Sequence, residues 1–283
     1  MMKKEAYDNF INQVWDRNAK VFADTRKKSK GAFKDATSSL LKRTTVYNDA
    51  DDLVSDNDLV RNSKMKIDVI LGGTASTAYR LQERTGEKVA MLNFADAKRP
   101  GGWVADGAPT QEENLCRCTN LYETLIQKKC KENYYDMNIK FSVADADTHC
   151  VEPYLDALIY AENVTIFKDD ETYEDISPRY VDVITCPSPC GVFNNVDNIM
   201  KHRIRGIIKS AYAHGAQHIV LGAWGCGAFM QNPKTVSRCF KEVLAEFPVF
   251  KSVIFAIKPT IGKYEDRTYK IFYNTFRPGT PLF

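Results

Sequence analysis

The chain has 283 residues, 44% hydrophobic and 27% charged, with a net charge of +3 at pH 7. This composition is that of an ordinary globular protein, and so small a net charge does not by itself indicate nucleic-acid binding. No apolar run reaches the roughly 18 residues of a membrane span, and the first residues lack the apolar segment of a signal peptide. We therefore expect a cytoplasmic protein without membrane contact, working as a monomer, with its eight cysteines reduced.

The first 60 residues are predicted to form a helical extension. Residues 3–28 place Phe10, Val14 and Phe22 between charged residues, as an amphipathic helix does. Residues 1–43 carry eleven Lys or Arg and five Asp or Glu, whereas 44–60 carry five Asp and no basic residue. Such blocks are typical of a solvated helix face and an acidic loop, and the polar segment 44–65 is predicted to be loop.

From residue 61 to 283, strand and helix patterns alternate, which predicts a three-layer α/β domain. Thr74 is predicted to cap a helix, and Pro233 stands at the first turn of another. The predicted strands are 66–71, 88–94, 164–167, 181–185, 218–221 and 253–257. The predicted helices are 74–84, 111–129, 198–213 and 233–247.

The most informative stretch is Pro100–Glu113, which reads PGGWVADGAPTQEE and follows a strand. A glycine pair lets the backbone approach a bulky ligand, and the neighbouring carboxyls Glu112 and Glu113 are suited to acid/base chemistry. Acidic residues in a first helical turn also favour the helix dipole without any further role. Together, the two halves of the stretch suit a sugar phosphate with a cleavable glycosidic bond.

A second glycine-bearing loop, LGAWGCGAF at 221–229, lies between a strand and a helix. Glycines in that position free backbone N–H groups for an oligophosphate, although tight strand-to-helix packing explains them too. Gly222, Gly225 and Gly227 run G-x-x-G-x-G, which is neither a Walker loop nor the dinucleotide fingerprint.

Three other kinds of site have weaker support. Gly72-Gly73 lies between a predicted strand and a predicted helix. This position is compatible with the dinucleotide site of an oxidoreductase and also with a simple strand-to-helix turn. Cys226 could be a nucleophile whose pKa is lowered by the N–H groups of its loop, or simply a small buried cysteine. Structural zinc has little support, because no C-x-x-C pair exists; the closest spacings are Cys116 with Cys118 and Cys186 with Cys190. For the four histidines we expect core or surface roles: His149, His202, His214 and His218.

The two glycine regions also carry a family resemblance. Gly101-Gly102, then Trp103, seven further residues and Gln111-Glu112-Glu113 resemble the signature of poly(ADP-ribose) glycohydrolases, in which three glycines precede Gln-Glu-Glu. Motifs similar to those of the microbial branch follow in the family's order at 93–102, 111–117, 181–187, 221–229 and 253–257. The resemblance implies a three-layer macrodomain with a mixed central sheet and an N-terminal helical extension.

The resemblance also implies site roles and a ligand. Glu113 is the implied catalytic acid/base, Glu112 and Gln111 position the substrate, Asn93 and Phe229 contact the distal ribose, and the loop 222–229 holds the diphosphate. No cofactor or metal is expected. The full set expected at ADP-ribose, besides catalytic Glu112 and Glu113, is Asn93, Asp96, Gly101, Gly102, Trp103, Gln111, Gly222, Gly225, Cys226, Gly227, Ala228 and Phe229. Candidates for the adenine-stacking ring are Tyr269, Phe272, Tyr273 and Phe276.

Two departures from the family pattern keep two functions open. Trp103 stands where the family has its third glycine, and Met-Gln-Asn-Pro follows Phe229 where Gly-Asn-Asp-Pro is more usual. The first hypothesis is a hydrolase of ADP-ribosyl bonds. The second is a reader that binds ADP-ribose without cleaving it, because the indole fills the phosphate channel. The natural substrate is left open between polymer, ADP-ribosylated protein and modified nucleic acid.

Overall fold

Seven strands form one sheet in the computed structural model, which describes residues 4–141, 154–191, 194–258 and 265–277. The strands are β1 (Thr44–Tyr47), β2 (Lys66–Leu71), β3 (Val89–Phe94), β4 (Leu158–Lys168), β5 (Asp175–Cys186), β6 (His218–Leu221) and β7 (Ser252–Ile257). Their order across the sheet is β1-β4-β5-β3-β6-β7-β2.

The helices of the described residues flank this sheet. They are α1 (Lys4–Lys30), α2 (Lys34–Lys42), α3 (Thr74–Thr85), α4 (Gln111–Cys118), α5 (Leu121–Leu125), α6 (Lys128–Cys130), α7 (Asp136–Phe141), α8 (Val196–Ala213), α9 (Pro233–Glu246) and α10 (Glu265–Phe276). A π-helical turn, Lys131–Tyr135, joins α6 to α7. No helix in the described ranges is long and apolar enough to cross a membrane.

The sheet is mixed, as predicted. The strands β5, β3, β6, β7 and β2 run parallel to one another, whereas β4 is antiparallel to β5 and β1 antiparallel to β4. Parallel strands end at the same edge of a sheet, and ligands of open α/β sheets bind beyond the carboxyl ends of such strands. The ends of β3, β5 and β6 therefore mark the edge where the site is expected.

Alternating side chains divide the core into two layers, one on each face of the sheet. In β3, Ala90 and Leu92 join the buried cluster that contains α8 and α9 residues, whereas Val89 and Met91 join the cluster with α3 and α4 residues. The same period continues to Asn93, whose side chain meets α4. The three-layer prediction is confirmed, and strand pleating decides which face receives the polar residue.

The N-terminal part contains structure that the sequence did not predict. Residues 44–65 are not all loop, because Thr44–Tyr47 forms β1, and α2 was not predicted. Three of the four β1 residues are β-branched and the fourth is aromatic, which suits a strand. The division at residue 60 stays a prediction, although β1 on its N-terminal side pairs with β4.

Several predicted element boundaries were wrong. The helix predicted over 111–129 ends at Cys118, because Asn120 leaves the helix: its N–H donates to the Thr165 carbonyl of β4, and its side-chain Oδ1 accepts the Thr165 N–H. The helical structure over 130–141 was not predicted. The strands predicted at 164–167 and 181–185 are parts of the longer β4 and β5. At the hairpin end of this pair, β5 extends beyond its pairing with β3 and is an edge strand, which admits Pro178.

Candidate active site

Gln111 fixes the start of α4 to the end of β3. Its side-chain Oε1 accepts from the Phe94 N–H at 2.9 Å, and its Nε2 donates to the Leu92 carbonyl at 2.8 Å. The amide thus pairs with the β3 backbone much as a neighbouring strand would. This contact holds the two glutamates that follow at the carboxyl end of the parallel strands.

Glu112 lies buried against Asn93. The Asn93 side-chain amide donates to Glu112 Oε1 at 3.1 Å and to the Thr185 hydroxyl at 3.2 Å, and the Asp96 N–H donates to Glu112 Oε2 at 2.8 Å. The Asn93 Oδ1 atom is buried and has no hydrogen-bond partner in the described structure. Buried polar atoms normally have partners, so this oxygen is available to accept one more hydrogen bond.

Glu113 lies directly over the glycine pair. The Trp103 N–H donates to Glu113 Oε1 at 3.0 Å, and the Thr110 hydroxyl donates to Oε2. A Cβ atom on Gly102 would collide with Glu113 Oε1, and Gly102 has φ +57°. Both the close approach and the left-handed backbone require glycine at position 102.

Burial raises the pKa of both carboxyls. The pKa of Glu112 lies well above its usual range, because desolvation outweighs the Asp96 N–H and the negative charge of Glu113 disfavours ionisation further. Burial also raises the pKa of Glu113, and the N–H of Trp103 and the charge of Arg117 counteract part of that rise. A raised pKa favours the protonated form of a carboxyl, which is the form that acts as a general acid.

The loop 222–229 joins this site from β6. A Cβ atom on Gly222 would lie 2.7 Å from the Ala256 carbonyl and 2.8 Å from the Phe94 ring, and Gly225 has φ +77°. Gly227 differs, since a Cβ atom there would meet nothing within 4 Å. Chain packing explains the first two glycines, whereas Gly227 borders open space.

Three successive N–H groups at the end of this loop are available to a ligand. Within the described ranges, those of Gly227, Ala228 and Phe229 donate to no protein acceptor, and the first two residues are exposed. The Cys226 N–H is used inside the loop, where it donates to the Ala223 carbonyl at 3.1 Å. The loop is fastened by Gln231, whose Nε2 donates to the Pro189 carbonyl at 2.9 Å.

The two glycine regions meet at Phe229. Its ring packs with a small cluster of Ala97, Tyr154 and Cys190, and its centroid lies 6.0 Å from that of Tyr154. Ala97 belongs to the turn after β3, which also contains Asp96. The structure therefore brings the predicted residues of both motifs to one edge of the sheet.

Trp103 and Asp96 occupy the rim of the site. The indole is 51% exposed, and the Arg99 guanidinium carbon lies 3.3 Å from the ring centroid. The reader hypothesis placed this ring in the phosphate channel, whereas the contact that the structure shows for the ring is with Arg99. Asp96 Oδ1 accepts from the N–H groups of Lys98 and Arg99, so this carboxylate oxygen shapes the turn.

Several supporting residues were missed by the sequence reasoning. Thr110 had a local signal, since Thr110-x-x-Glu113 matches a capping box, although its hydroxyl contacts the Glu113 carboxyl instead of capping the helix. Tyr122, which packs on Gly101, had none. Arg117 is fully buried and donates from Nη1 to the Ala108 carbonyl at 2.7 Å. These contacts come from tertiary packing, which sequence spacing does not reveal.

The oxidoreductase and nucleophile hypotheses are not supported by the structure. Asp170 Oδ2 accepts from the N–H groups of Ala75 and Ser76 at 3.0 and 3.2 Å, so a protein carboxylate fills the α3 terminus that a dinucleotide would need. Gly73 is the N-cap of α3, and the prediction that Thr74 caps it was wrong. Burial raises the pKa of the Cys226 thiol to about 12, opposite to the activation proposed.

The remaining sequence candidates are distributed through the fold. The prediction that Phe272 or Phe276 stacks on adenine was wrong, because both rings are buried in the core. The rings of Tyr269 and Tyr273 stack on each other with centroids 5.8 Å apart. His202, His214 and His218 each contact a carboxylate, and His149 lies outside the described residues. Across the described ranges, no group of three or more His, Cys, Asp or Glu is arranged to hold a metal ion.

The fold and the site together define an α/β protein of the macrodomain type, with a pair of buried carboxyls packed against a glycine turn at the carboxyl edge of its parallel strands. The family model for the microbial-type poly(ADP-ribose) glycohydrolase (PARG) catalytic domain matches residues 15–169. The chain belongs to this family. No curated protein sequence matches the chain.

Solved structures of bacterial PARG proteins are similar over nearly the whole chain. The enzyme from Thermomonospora curvata is 26% identical, with a TM-score of 0.78, and the match covers 92% of this chain and 99% of that one. The same protein has been solved with the inhibitor ADP-HPD. PARG from Deinococcus radiodurans in complex with ADP-ribose is 30% identical, with a TM-score of 0.74 and coverage of 87% and 98%.

Proposed function

We propose that this chain hydrolyses the ribosyl O-glycosidic bond of poly(ADP-ribose) or of ADP-ribosylated targets, with Glu113 as the acid/base. The observation that carries the proposal is the position of Glu113. Its buried carboxyl lies over Gly102 and accepts the Trp103 N–H at 3.0 Å, at the same edge of the sheet as a loop with three unused N–H groups. An acid/base next to an anion-binding loop is what a terminal ADP-ribose requires.

Substrate binding is divided between the two glycine regions. The unpartnered Asn93 Oδ1 and the buried Glu112 carboxyl hold hydroxyl groups of the distal ribose. The N–H groups of Gly227, Ala228 and Phe229 bind the diphosphate, since successive backbone N–H groups form anion sites. The Phe229 ring closes the space against the ribose. Binding from both sides orients the glycosidic carbon toward Glu113.

Glu113, and not Glu112, exchanges the proton. Both Glu112 oxygens accept buried N–H groups from Asn93 and Asp96, which hold them in place. Glu113 Oε2 is held by the hydroxyl of Thr110, an exposed residue that can turn away when a substrate oxygen arrives. Burial raises the pKa of Glu113, which favours the protonated carboxyl that the first step requires.

The reaction then proceeds in two proton transfers. Glu113 donates its proton to the bridging oxygen as the bond from that oxygen to the ribosyl C1″ breaks, and C1″ gains oxocarbenium character. The carboxylate left on Glu113 next accepts a proton from water as the water oxygen bonds to C1″. The products are free ADP-ribose and the protonated leaving group, and Glu113 regains its proton. One carboxyl acts first as acid and then as base.

Product analysis tests this function. The purified protein is incubated separately with poly(ADP-ribose), mono-ADP-ribosylated protein and ADP-ribosylated nucleic acid, and free ADP-ribose is quantified by chromatography. We expect release from at least one substrate and none with Glu113→Gln. Binding of ADP-ribose without release from any of the three would reject hydrolysis and favour a reader. The cytoplasmic location stays a prediction from the sequence.

A further inference from the structure

An exposed indole stands beside the proposed acid/base without a structural need for it. Trp103 has φ −99°, a value open to any residue, whereas Gly101 and Gly102 have φ +70° and +57°. The third residue of the glycine signature can therefore change here without backbone strain. Its ring is 51% exposed, while Trp224 is completely buried. A large apolar ring left half in water suits a ligand contact better than a core role.

Arg99 is placed over this ring by the same turn. Asp96 Oδ1 accepts the Arg99 N–H at 2.9 Å, and the Gly102 N–H donates to the Arg99 carbonyl at 3.0 Å. The guanidinium carbon then lies 3.3 Å from the Trp103 ring centroid. In the described part of the chain, no carboxylate forms an ion pair with Arg99. The pair therefore offers an aromatic surface and an uncompensated positive charge together.

The backbone of Trp103 connects this pair directly to the proposed acid. The Trp103 N–H holds Glu113 Oε1, so the indole is attached to the residue that binds the proposed acid. A general acid lies within hydrogen-bond distance of the leaving oxygen. In poly(ADP-ribose) that oxygen belongs to the adenosine ribose of the adjoining unit, which carries an adenine and phosphates. An amino-acid leaving group carries neither.

We propose that Trp103 and Arg99 form a leaving-group subsite for the adenosine phosphate of the adjoining unit. This inference rests on the proposed function of Glu113. The adenine stacks on the Trp103–Arg99 pair, because nucleobases stack on both indole rings and guanidinium planes. The Arg99 guanidinium also binds a phosphate oxygen, for which its planar donors are suited.

Substrate preference tests the subsite. The kcat/KM for poly(ADP-ribose) and for a mono-ADP-ribosylated protein are measured for the parent, Trp103→Ala, Trp103→Phe and Arg99→Ala. We expect Trp103→Ala to lower the polymer-to-mono ratio about tenfold, mainly through KM for polymer, with recovery of most of the ratio in Trp103→Phe. Exposed residues away from the site give the matched controls Tyr180→Ala and Arg61→Ala, which should leave the ratio unchanged. An equal loss on both substrates would overturn the subsite.

A binding measurement separates this proposal from the proposed function. In the Glu113→Gln background, the affinity for a two-unit ADP-ribose fragment is compared with that for ADP-ribose. We expect the fragment to bind about tenfold more tightly, and Trp103→Ala to abolish the difference. If the parent protein releases no ADP-ribose but this difference is found, the hydrolase proposal fails, and Trp103 binds the adjoining unit without a leaving-group role. If the parent is active but the two ligands bind equally, the subsite fails alone.

Discussion

Asn18 of α1 donates its side-chain amide to the Gly107 carbonyl at 2.9 Å, and so joins the N-terminal helix to the loop before the two glutamates. A Cβ atom on Gly107 would collide with the Trp15 carbonyl, and Gly107 has φ +94°. On the other side, Arg117 donates to the Ala108 carbonyl. The loop 103–110 is thus held between α1 and α4, and the Trp103 N–H that binds Glu113 depends on both.

Asn18→Ala is expected to lower both stability and activity. The substitution leaves the Gly107 carbonyl without its buried donor, for which we expect a loss of about 1–3 kcal/mol in the free energy of unfolding. The loosened loop also displaces the Trp103 N–H, so kcat should fall at temperatures where the protein is fully folded. Urea unfolding and steady-state turnover measure the two effects. Asn12→Ala, at an exposed position of α1, is the control and should change neither.

Glu113→Gln is expected to remove turnover and retain ADP-ribose binding. The amide oxygen still accepts the Trp103 N–H, and the Thr110 hydroxyl can rotate to accept from the amide nitrogen, so the site keeps its shape. The loss of a general acid/base should lower kcat by about 10²–10⁴-fold. Single-turnover assays and calorimetry with ADP-ribose measure the two properties. A parent-like rate in Glu113→Gln, together with an inactive Glu112→Gln, would exchange the roles of the two residues.

The parts of the fold that could be predicted from sequence are those with local signals. The apolar run of β3, the glycine pair and the start of α4 at Gln111 follow from patterns within a few residues. The four-residue β1 has no such pattern, because polar neighbours surround it and pairing with β4 stabilises it. The end of α4 at Cys118 also depends on distant contacts, since Asn120 is held by Thr165.

The site divides in the same way. The two glutamates and the glycines could be identified by spacing and by family resemblance, because each motif is contiguous. The contact from Asn18 to Gly107 spans 89 positions in the chain, and no spacing rule connects them. The free Asn93 Oδ1 likewise became visible only once Glu112 and Thr185 were placed around that side chain. The residues proposed for catalysis and binding could be predicted from local sequence, whereas the contacts that hold them in place could be identified only in the tertiary structure.

Gly227→Ala is expected to weaken ADP-ribose binding without destabilising the protein. A methyl group at 227 meets no protein atom within 4 Å, so the free energy of unfolding should change by no more than about 0.5 kcal/mol. The same methyl group enters the space proposed for the diphosphate, and we expect about tenfold weaker binding, or about 1.4 kcal/mol. Calorimetry and urea unfolding provide the measurements.

Gly222→Ala is the matched control within the same loop. Its methyl group would press on the Ala256 carbonyl and the Phe94 ring, so we expect a loss of about 1–3 kcal/mol in unfolding free energy. Unchanged ADP-ribose affinity in Gly227→Ala would remove this loop from the binding site.

For the parent protein, ADP-ribose at about 100 times its Kd should stabilise the fold by about 2.7 kcal/mol.

Glu112→Gln is expected to reduce the pH dependence of stability. Burial raises the pKa of Glu112 in the folded protein, so the folded state binds this proton more tightly than the unfolded state does. The resulting stabilisation is complete below the unfolded pKa, about 4.3, and is lost as pH rises through the folded pKa. Glutamine cannot titrate, so the variant should lose less stability than the parent between pH 5 and 8. Each fully released proton corresponds to a slope of about 1.4 kcal/mol per pH unit.

Glu112→Gln must also keep the hydrogen bonds of the site, so that its pH slope differs from that of the parent only through the lost titration. Its amide oxygen can accept the Asp96 N–H while its amide nitrogen donates to Asn93 Oδ1, once the Asn93 amide turns over. Urea unfolding at several pH values measures the slope. Glu132→Gln, at an exposed position, should keep the parent slope. Glu113 remains in Glu112→Gln and contributes in the same direction, so the slope should fall but not vanish. A slope equal to that of the parent would mean that Glu112 is ionised in the folded protein throughout this range.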